Sequence, residues 1–270
     1  MKKIFLTMPH YSGERLNLYK TYVEPRNKKF CEIHGYKYVA TSPDKLTVFQ
    51  LFDGIAPRDN FMFFRWKVID DAIQTGALKD GDIVTQFDCD VYIAQLKYNF
   101  ETKKSFTYAI DSGNTHCLGI FSLKINEFSK KLIKAFISQE RYKACSTYQL
   151  FTENGNTNCY YYANDQHAYY HMAGIKPHSW KSFLELPNYG FHSLKTPNTL
   201  FSVQELLDNV EVLGPEWNTT HLIEETGDHG NPNTYDIVRT TKDQVIYRHF
   251  AGGQNWLFKE WAEYSKKYDL

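Results

Sequence analysis

The sequence predicts an α/β protein with a mainly parallel central sheet flanked by helices and an irregular C-terminal part. Three observations predict it. Strand-length apolar runs alternate with helix-length stretches over roughly the first 140 residues, the pattern of strands joined by helical crossovers. The apolar run Ile83-Val84-Thr85-Gln86-Phe87 stops at Asp88-Cys89-Asp90, placing carboxylates at the carboxyl end of a strand, where open α/β sheets bind ligands. From 186 to 233 proline, glycine and asparagine recur, and only short strands fit between them.

Residues 3–8 predict the first strand. Residues 14–33 predict a helix, interrupted or bent at Pro25 and stopped by Gly35. A second strand follows at 36–40 and ends in Thr41-Ser42-Pro43-Asp44. Residues 51–60 read as a loop, and 61–74 as a helix closed at Gly76. The third strand is 83–87, the next 106–110, and another 118–125. Asn126 caps a helix running to about 138. Residues 146–160 read as a loop or small hairpin, 161–172 as a helix, 210–213 and 244–249 as strands, and 256–268 as a terminal helix. At 270 residues, one domain is expected, with residues 1–125 and 126–270 as its two halves.

Hydrophobic content of 42% with 23% charged residues indicates a globular protein rather than a disordered one. A net charge of +0 gives no electrostatic reason to expect nucleic acid or an anionic membrane as partner. The five cysteines are widely spaced and odd in number, which indicates neither a zinc ribbon nor a disulfide framework and fits a reducing, cytoplasmic setting. The apolar stretch after Lys2-Lys3 ends at Pro9-His10, too short for a signal core or a membrane span. The many tyrosines and phenylalanines are expected mainly in the core.

Asp88 and Asp90, at i and i+2, would share a face if the strand continued, forming a clamp for Mn²⁺ or Mg²⁺. The alternative is an ordinary turn. On helix 61–74, Arg65 shares a face with Val68, Ile69 and Ala72, so its charge needs an anionic partner. That partner is a structural carboxylate, a site aspartate or a diphosphate. Asp70 and Asp71 fall on other faces and are expected in solvent. Asp111 ends its strand and, in a parallel arrangement, lies near Asp88, where it binds a sugar hydroxyl or caps a turn. Asp165 and Gln166 stand at a helix start, either as a cap or as site groups. His167 and His171, at i and i+4, have a spacing compatible with zinc but no third ligand. His249 ends a strand before Gly252-Gly253, a turn able to present an imidazole and backbone N–H groups to one anion.

Taken together, Phe64-Arg65-Trp66, Phe87-Asp88-Cys89-Asp90-Val91, Cys117-Leu118-Gly119, Asn164-Asp165-Gln166, Leu213-Gly214-Pro215-Glu216-Trp217-Asn218 and the segment 245–256 resemble the motifs of GT-A (Rossmann-like) glycosyltransferases. They are most similar to the retaining group that includes glycogenin and bacterial lipooligosaccharide galactosyltransferases. The retaining galactosyl- and xylosyltransferases with a W-x-x-D-x-D core fit nearly as well. The chain departs from the first pattern at Cys117, where asparagine is usual, and at Asn255, where a diphosphate-contacting lysine is expected and Gln254 or Arg248 would substitute.

The resemblance implies transfer of a sugar from a nucleotide sugar, UDP-linked, to a glycan, glycolipid or other hydroxyl acceptor. It assigns Asp88, Asp90 and His249 to Mn²⁺, and Arg65 and Gly252 to the diphosphate. Thr7, Met8 and Tyr11 fall to the base and ribose, and Asp111 to the donor sugar. Asp165 and Gln166 are placed near the anomeric carbon. In retaining transfer one of these two stabilises an oxocarbenium-like centre; in inverting transfer Asp165 is the first candidate for general base. Two other readings are a nucleotidyltransferase that makes a sugar nucleotide and a non-catalytic module of the same fold. The glycine-poor Pro9-His10-Tyr11-Ser12-Gly13-Glu14-Arg15 segment speaks against the first.

Overall fold

A computed structural model describes residues 1–42, 51–52, 61–112, 116–141, 150–151, 157–158, 165–175, 187–192, 199–222, 240–250 and 257–268. In chain order, β1 (Lys3–Thr7) leads to α1 (Gly13–Leu18), a π-helical turn (Tyr19–Val23) and α2 (Glu24–His34), then β2 (Lys37–Ala40). A 3₁₀ turn (Phe61–Phe63) opens α3 (Phe64–Gln74), followed by β3 (Ile83–Phe87), β4 (Val91–Ile93), β5 (Phe106–Ile110), β6 (His116–Lys124) and α4 (Glu127–Phe136). The rest comprises β7 (Leu150–Phe151), β8 (Thr157–Asn158), α5 (Asp165–Ala173), α6 (Val203–Asn209), β9 (Val210–Leu213), β10 (Tyr247–His249) and α7 (Leu257–Lys267).

The main sheet has the order β2-β1-β3-β6-β5-β9. The pairs β1–β2, β1–β3 and β5–β9 are parallel, and β6 is antiparallel to both β3 and β5. Five strands therefore run one way, which bears out the mainly parallel sheet. The reversal of β6 follows from its short connection to β5, since only antiparallel neighbours can be joined without a long crossover.

Side chains alternate between the two faces of the sheet. Leu6, Val84, Phe121 and Tyr108 join Trp66, Ile69, Leu132, Ile133 and Tyr169 in one buried cluster under α3, α4 and α5. Phe5, Ile83, Phe87 and Ile120 join Phe30, Cys31 and Tyr36 in a second cluster against α2. A third gathers Tyr19, Val23, Cys89, Tyr92, Phe250, Phe258 and Trp261, so α7 braces both the π turn and the β4–β10 ribbon.

Several expectations are refined. The bend expected at Pro25 is taken up by the π turn just before it, with Pro25 in the first turn of α2. Gly35 ends α2 in the left-handed conformation at φ 72°, as a helix stop requires. Asn126 caps α4 reciprocally with Ser129. β4 and α6 were not expected, although Ser202 and Glu205 form a capping box that was visible in the sequence. Of the loop and the small hairpin expected at 146–160, the antiparallel pairing of residues 150–151 with 157–158 fits the hairpin. Asp70 is not in solvent: it is 6% exposed and accepts from Lys134 Nζ at 2.9 Å, tying α3 to α4. His171 is buried, and the side chain of His167 is outside the described part. Among the described residues no helix is long and apolar enough to cross a membrane.

Candidate active site

β3 ends at Phe87 and the chain turns at once through Cys89-Asp90 into β4, with Val91 N donating to Asp88 O at 3.1 Å. The two carboxylates therefore converge through a turn, not through the alternation of a continuing strand. β4 pairs antiparallel with β10 in a register that sets Val91 opposite His249. Phe250 N donates to Asp90 O at 2.9 Å, and His249 N donates to Thr219 O at 2.9 Å. One ligand-capable atom each from Asp88, Asp90 and His249 then lies within 4.8 Å of the others.

These residues fit a hard divalent cation. Two carboxylates and an imidazole are an ordinary donor set for Mn²⁺. Asp90 Oδ1 is buried without a hydrogen-bond donor, 3.3 Å from His249 Nε2. Burial alone would raise the Asp90 carboxyl, but the His249 imidazolium outweighs it and holds it below the usual range. Burial likewise opposes charge on His249, and Asp90 overcomes it, so the ring titrates well above its ordinary 6.5.

Arg65 stands beneath this clamp, 3% exposed. Its Nε donates to Asp165 Oδ2 at 2.8 Å, its Nη2 stands in ion-pair contact with the same oxygen at 2.6 Å, and its Nη1 donates to Gln86 Oε1 at 2.9 Å and Asp88 Oδ1 at 2.6 Å. Burial disfavours the guanidinium charge, but Asp165 and then Asp88 more than restore it. Gln86 Nε2 also donates to Asp88 Oδ1 at 3.0 Å. Asp88 is thus held by one oxygen, and its other oxygen has no partner among the described residues.

Asp165 is 2% exposed, and its Oδ2 accepts a second N–H, from Trp66 Nε1 at 2.6 Å. Burial pushes its carboxyl up, and Arg65 and Trp66 pull against that. Trp66 is itself stacked between Phe121 and Phe136, at 4.6 and 3.9 Å between ring centres. The anionic partner required by Arg65 is therefore a pair of aspartates, Asp165 and Asp88, which leaves its guanidinium little capacity for a ligand.

A cleft of about 180 Å³ opens above the clamp, lined by Met8, His10, Tyr11, Arg15, Phe61, Met62 and Arg65 together with Asp88, Cys89 and Asp90. His10 packs on Tyr11 and Phe61 at 5.0 and 4.6 Å, forming an aromatic wall. Arg15 is exposed and has no carboxylate partner among the described residues.

Of the other expected site residues, Thr7 is fully buried and is not part of the lining. Asp111 ends β5 on the same sheet edge as Asp88, but β6 lies between the two strands, a separation of about 10 Å at ordinary strand spacing. Gln166 is half-buried and donates to Tyr170 Oη at 2.9 Å. Arg248 is not available as a substitute cation: it is fully buried, donates to Thr219 O at 3.0 Å and lies over Phe250 and Trp261. Gly252, Gln254 and Asn255 lie outside the described residues.

Sequence reasoning missed Gln86, His10, Arg15 and Phe61. Gln86 was discoverable, because it has the same strand parity as Asp88. The others carry no local signal.

The fold and site define a class: an α/β protein with two carboxylates and an imidazole, a set able to hold a divalent cation, gathered at the carboxyl edge of its sheet. No family model and no curated protein matches the chain. Among solved structures it is similar to a glycosyltransferase involved in the glycosylation of the major capsid of PBCV-1, at TM-score 0.48 and 11% identity over 99% of this chain and 100% of that one. It is also similar to mouse xyloside xylosyltransferase 1, at TM-score 0.43 and 11% identity over 93% and 98%, and to the galactosyltransferase LgtC with donor and acceptor sugar analogues, at TM-score 0.33 and 12% identity over 98% and 96%.

Proposed function

We propose that this protein is a divalent-metal-dependent glycosyltransferase that moves a sugar from a UDP-sugar to a hydroxyl of a glycan or glycolipid. The observation that carries the reading is the convergence of Asp88, Asp90 and His249 from distant parts of the chain beneath an open cleft. The order of the sequence motifs supports the same reading.

Asp88, through its unpartnered oxygen, Asp90 and His249 would hold Mn²⁺ or Mg²⁺. When bound, such an ion supplies a Lewis acid that offsets charge developing on a departing diphosphate. Met8 and Tyr11, with His10 and Phe61, form the surface on which a base would stack. Arg15 is the lining cation with no carboxylate partner among the described residues, so it is assigned the diphosphate role that Asn255 leaves open. Arg65 and Asp165 act through Asp88, holding it in place rather than touching substrate. Gln166 and Asp111 remain the groups assigned to the donor sugar, and Gly252 the backbone contact to the diphosphate. The carboxylates in the described lining are both metal-holding ones, which supports retention: the acceptor proton then goes to the leaving phosphate rather than to a protein base.

The test is a thermal-shift screen with Mn²⁺ and a panel of nucleoside diphosphates, followed by detection of UDP release from UDP-sugars. A joint upward shift with Mn²⁺ and UDP, abolished in Asp90→Ala, is expected. No shift with any nucleotide overturns the reading. A shift without UDP release makes the protein a binding module, and pyrophosphate release from UTP and a sugar phosphate makes it a nucleotidyltransferase. NMR of the product anomer decides retention.

A further inference from the structure

His249 has two ring nitrogens, and only one can face a metal. Nε2 is the atom 3.3 Å from Asp90 Oδ1. Nδ1 lies 2.9 Å from Asn218 Oδ1 and 3.9 Å from Cys117 Sγ. At 2.9 Å the amide is the true hydrogen-bond partner, since the thiol sits at the far limit of such contacts. An amide oxygen only accepts, so Nδ1 carries the proton. A neutral imidazole protonated at Nδ1 has its lone pair on Nε2, directed at the space shared with Asp88 and Asp90.

Two further features hold this arrangement. Asn218 is fully buried and follows the Pro215–Trp217 turn, its backbone N–H bonded to Pro215 O at 3.0 Å. Its neighbour Thr219 bonds to the ribbon on both sides, donating to Tyr247 O at 3.0 Å and accepting from His249 N at 2.9 Å. On the other side the imidazole lies against Gly119, where a Cβ would stand 2.5 Å from its Cε1. The ring is therefore confined between a bare backbone and a buried amide. Among the described residues the Asn218 side chain has this one hydrogen bond, the contact with His249, and its Nδ2 has no partner.

We infer that Asn218 is a positioning residue: it fixes His249 as the Nδ1–H tautomer and so presents Nε2 to the divalent cation. The inference rests on the reading of Asp88, Asp90 and His249 as a metal clamp.

Mn²⁺ affinity of the full chain, read from the EPR signal of free Mn²⁺, tests it with two variants. Asn218→Asp keeps an oxygen acceptor in the same place and is expected to bind Mn²⁺ within about threefold of wild type or more tightly, as carboxylate–imidazole–metal triads do. Asn218→Leu removes the acceptor and is expected to lose about 10–100-fold. Equal affinity in wild type and Asn218→Leu overturns the inference, as does a loss in Asn218→Asp matching that in Asn218→Leu. Should Asn218→Leu fold poorly, the wild type decides by ¹⁵N NMR of His249 at a pH where the ring is neutral. An Nδ1–H, Nε2 lone-pair pattern supports the inference, and an Nε2–H pattern overturns it. Absence of Mn²⁺ binding by wild type sinks the metal reading instead, and the NMR pattern still judges Asn218.

Discussion

Arg65 and Asp165, 100 residues apart, meet at one carboxylate oxygen, through a hydrogen bond from Nε at 2.8 Å and an ion-pair contact with Nη2 at 2.6 Å. The pair is almost fully buried, and its free guanidinium nitrogen passes on to Asp88 at 2.6 Å. A bond between two core elements, α3 and α5, thereby sets the position of a carboxylate that faces the cleft.

Removing either partner leaves an uncompensated buried charge. Arg65→Ala and Asp165→Ala are each expected to lower stability by about 3–5 kcal/mol in urea unfolding, and their double mutant to lose less than the sum. Simple additivity would show that the two are not coupled.

Gly119→Ala places a methyl group 2.5 Å from His249 Cε1 in the middle of β6. The imidazole must move, at an overpacking cost of about 1–3 kcal/mol. Mn²⁺ affinity is expected to fall more steeply than stability does, about tenfold or more by calorimetry. Unchanged affinity in a stably folded variant would show that the ring is not seated as described.

Proton and metal compete for His249 Nε2. Because Asp90 raises the ring well above 6.5, metal binding near neutral pH must expel about one proton. Affinity is therefore expected to rise with pH up to the folded-state value of the ring and then level off. Calorimetry in buffers of different ionisation enthalpy counts the protons released. In the metal-free protein the sign is opposite: the raised His249 value stabilises the fold fully below the ordinary 6.5, and that contribution fades as pH rises through the folded value. A metal affinity that does not change with pH would remove His249 from the ligand set.

Arg15→Ala is expected to weaken binding of UDP with Mn²⁺ about tenfold while leaving uridine unaffected, because a guanidinium on a diphosphate contributes about 1.5–3 kcal/mol when the contact is partly desolvated and less when it is exposed. Arg15→Lys should recover part of the loss. Equal weakening of uridine and UDP would move Arg15 from the diphosphate to the base.

The segments 83–87, 106–110 and 210–213 were legible to the residue, because short apolar runs bounded by aspartates and turn residues write a strand and its stops into the chain itself. The partner demanded by Arg65 was legible as a need, since an arginine on an apolar helix face cannot stay unpaired. Its identity was not. Asp165 reads equally well as a helix cap, and the choice was made by the packing of α5 against β6 and α4. β4 escaped notice because three residues are too few to show a period.

By itself the sequence determined the sheet, the helices against it and the acidic end of β3, all consequences of local periodicity and turn chemistry. The motif resemblance had already grouped Asp88, Asp90 and His249, but tertiary structure alone decided that Arg65 is spent on aspartates and that Arg15 has no carboxylate partner among the described residues. The meeting of these side chains depends on the register of β10 on β4 and on how α3 and α5 dock, long-range pairings that no stretch of neighbouring residues encodes.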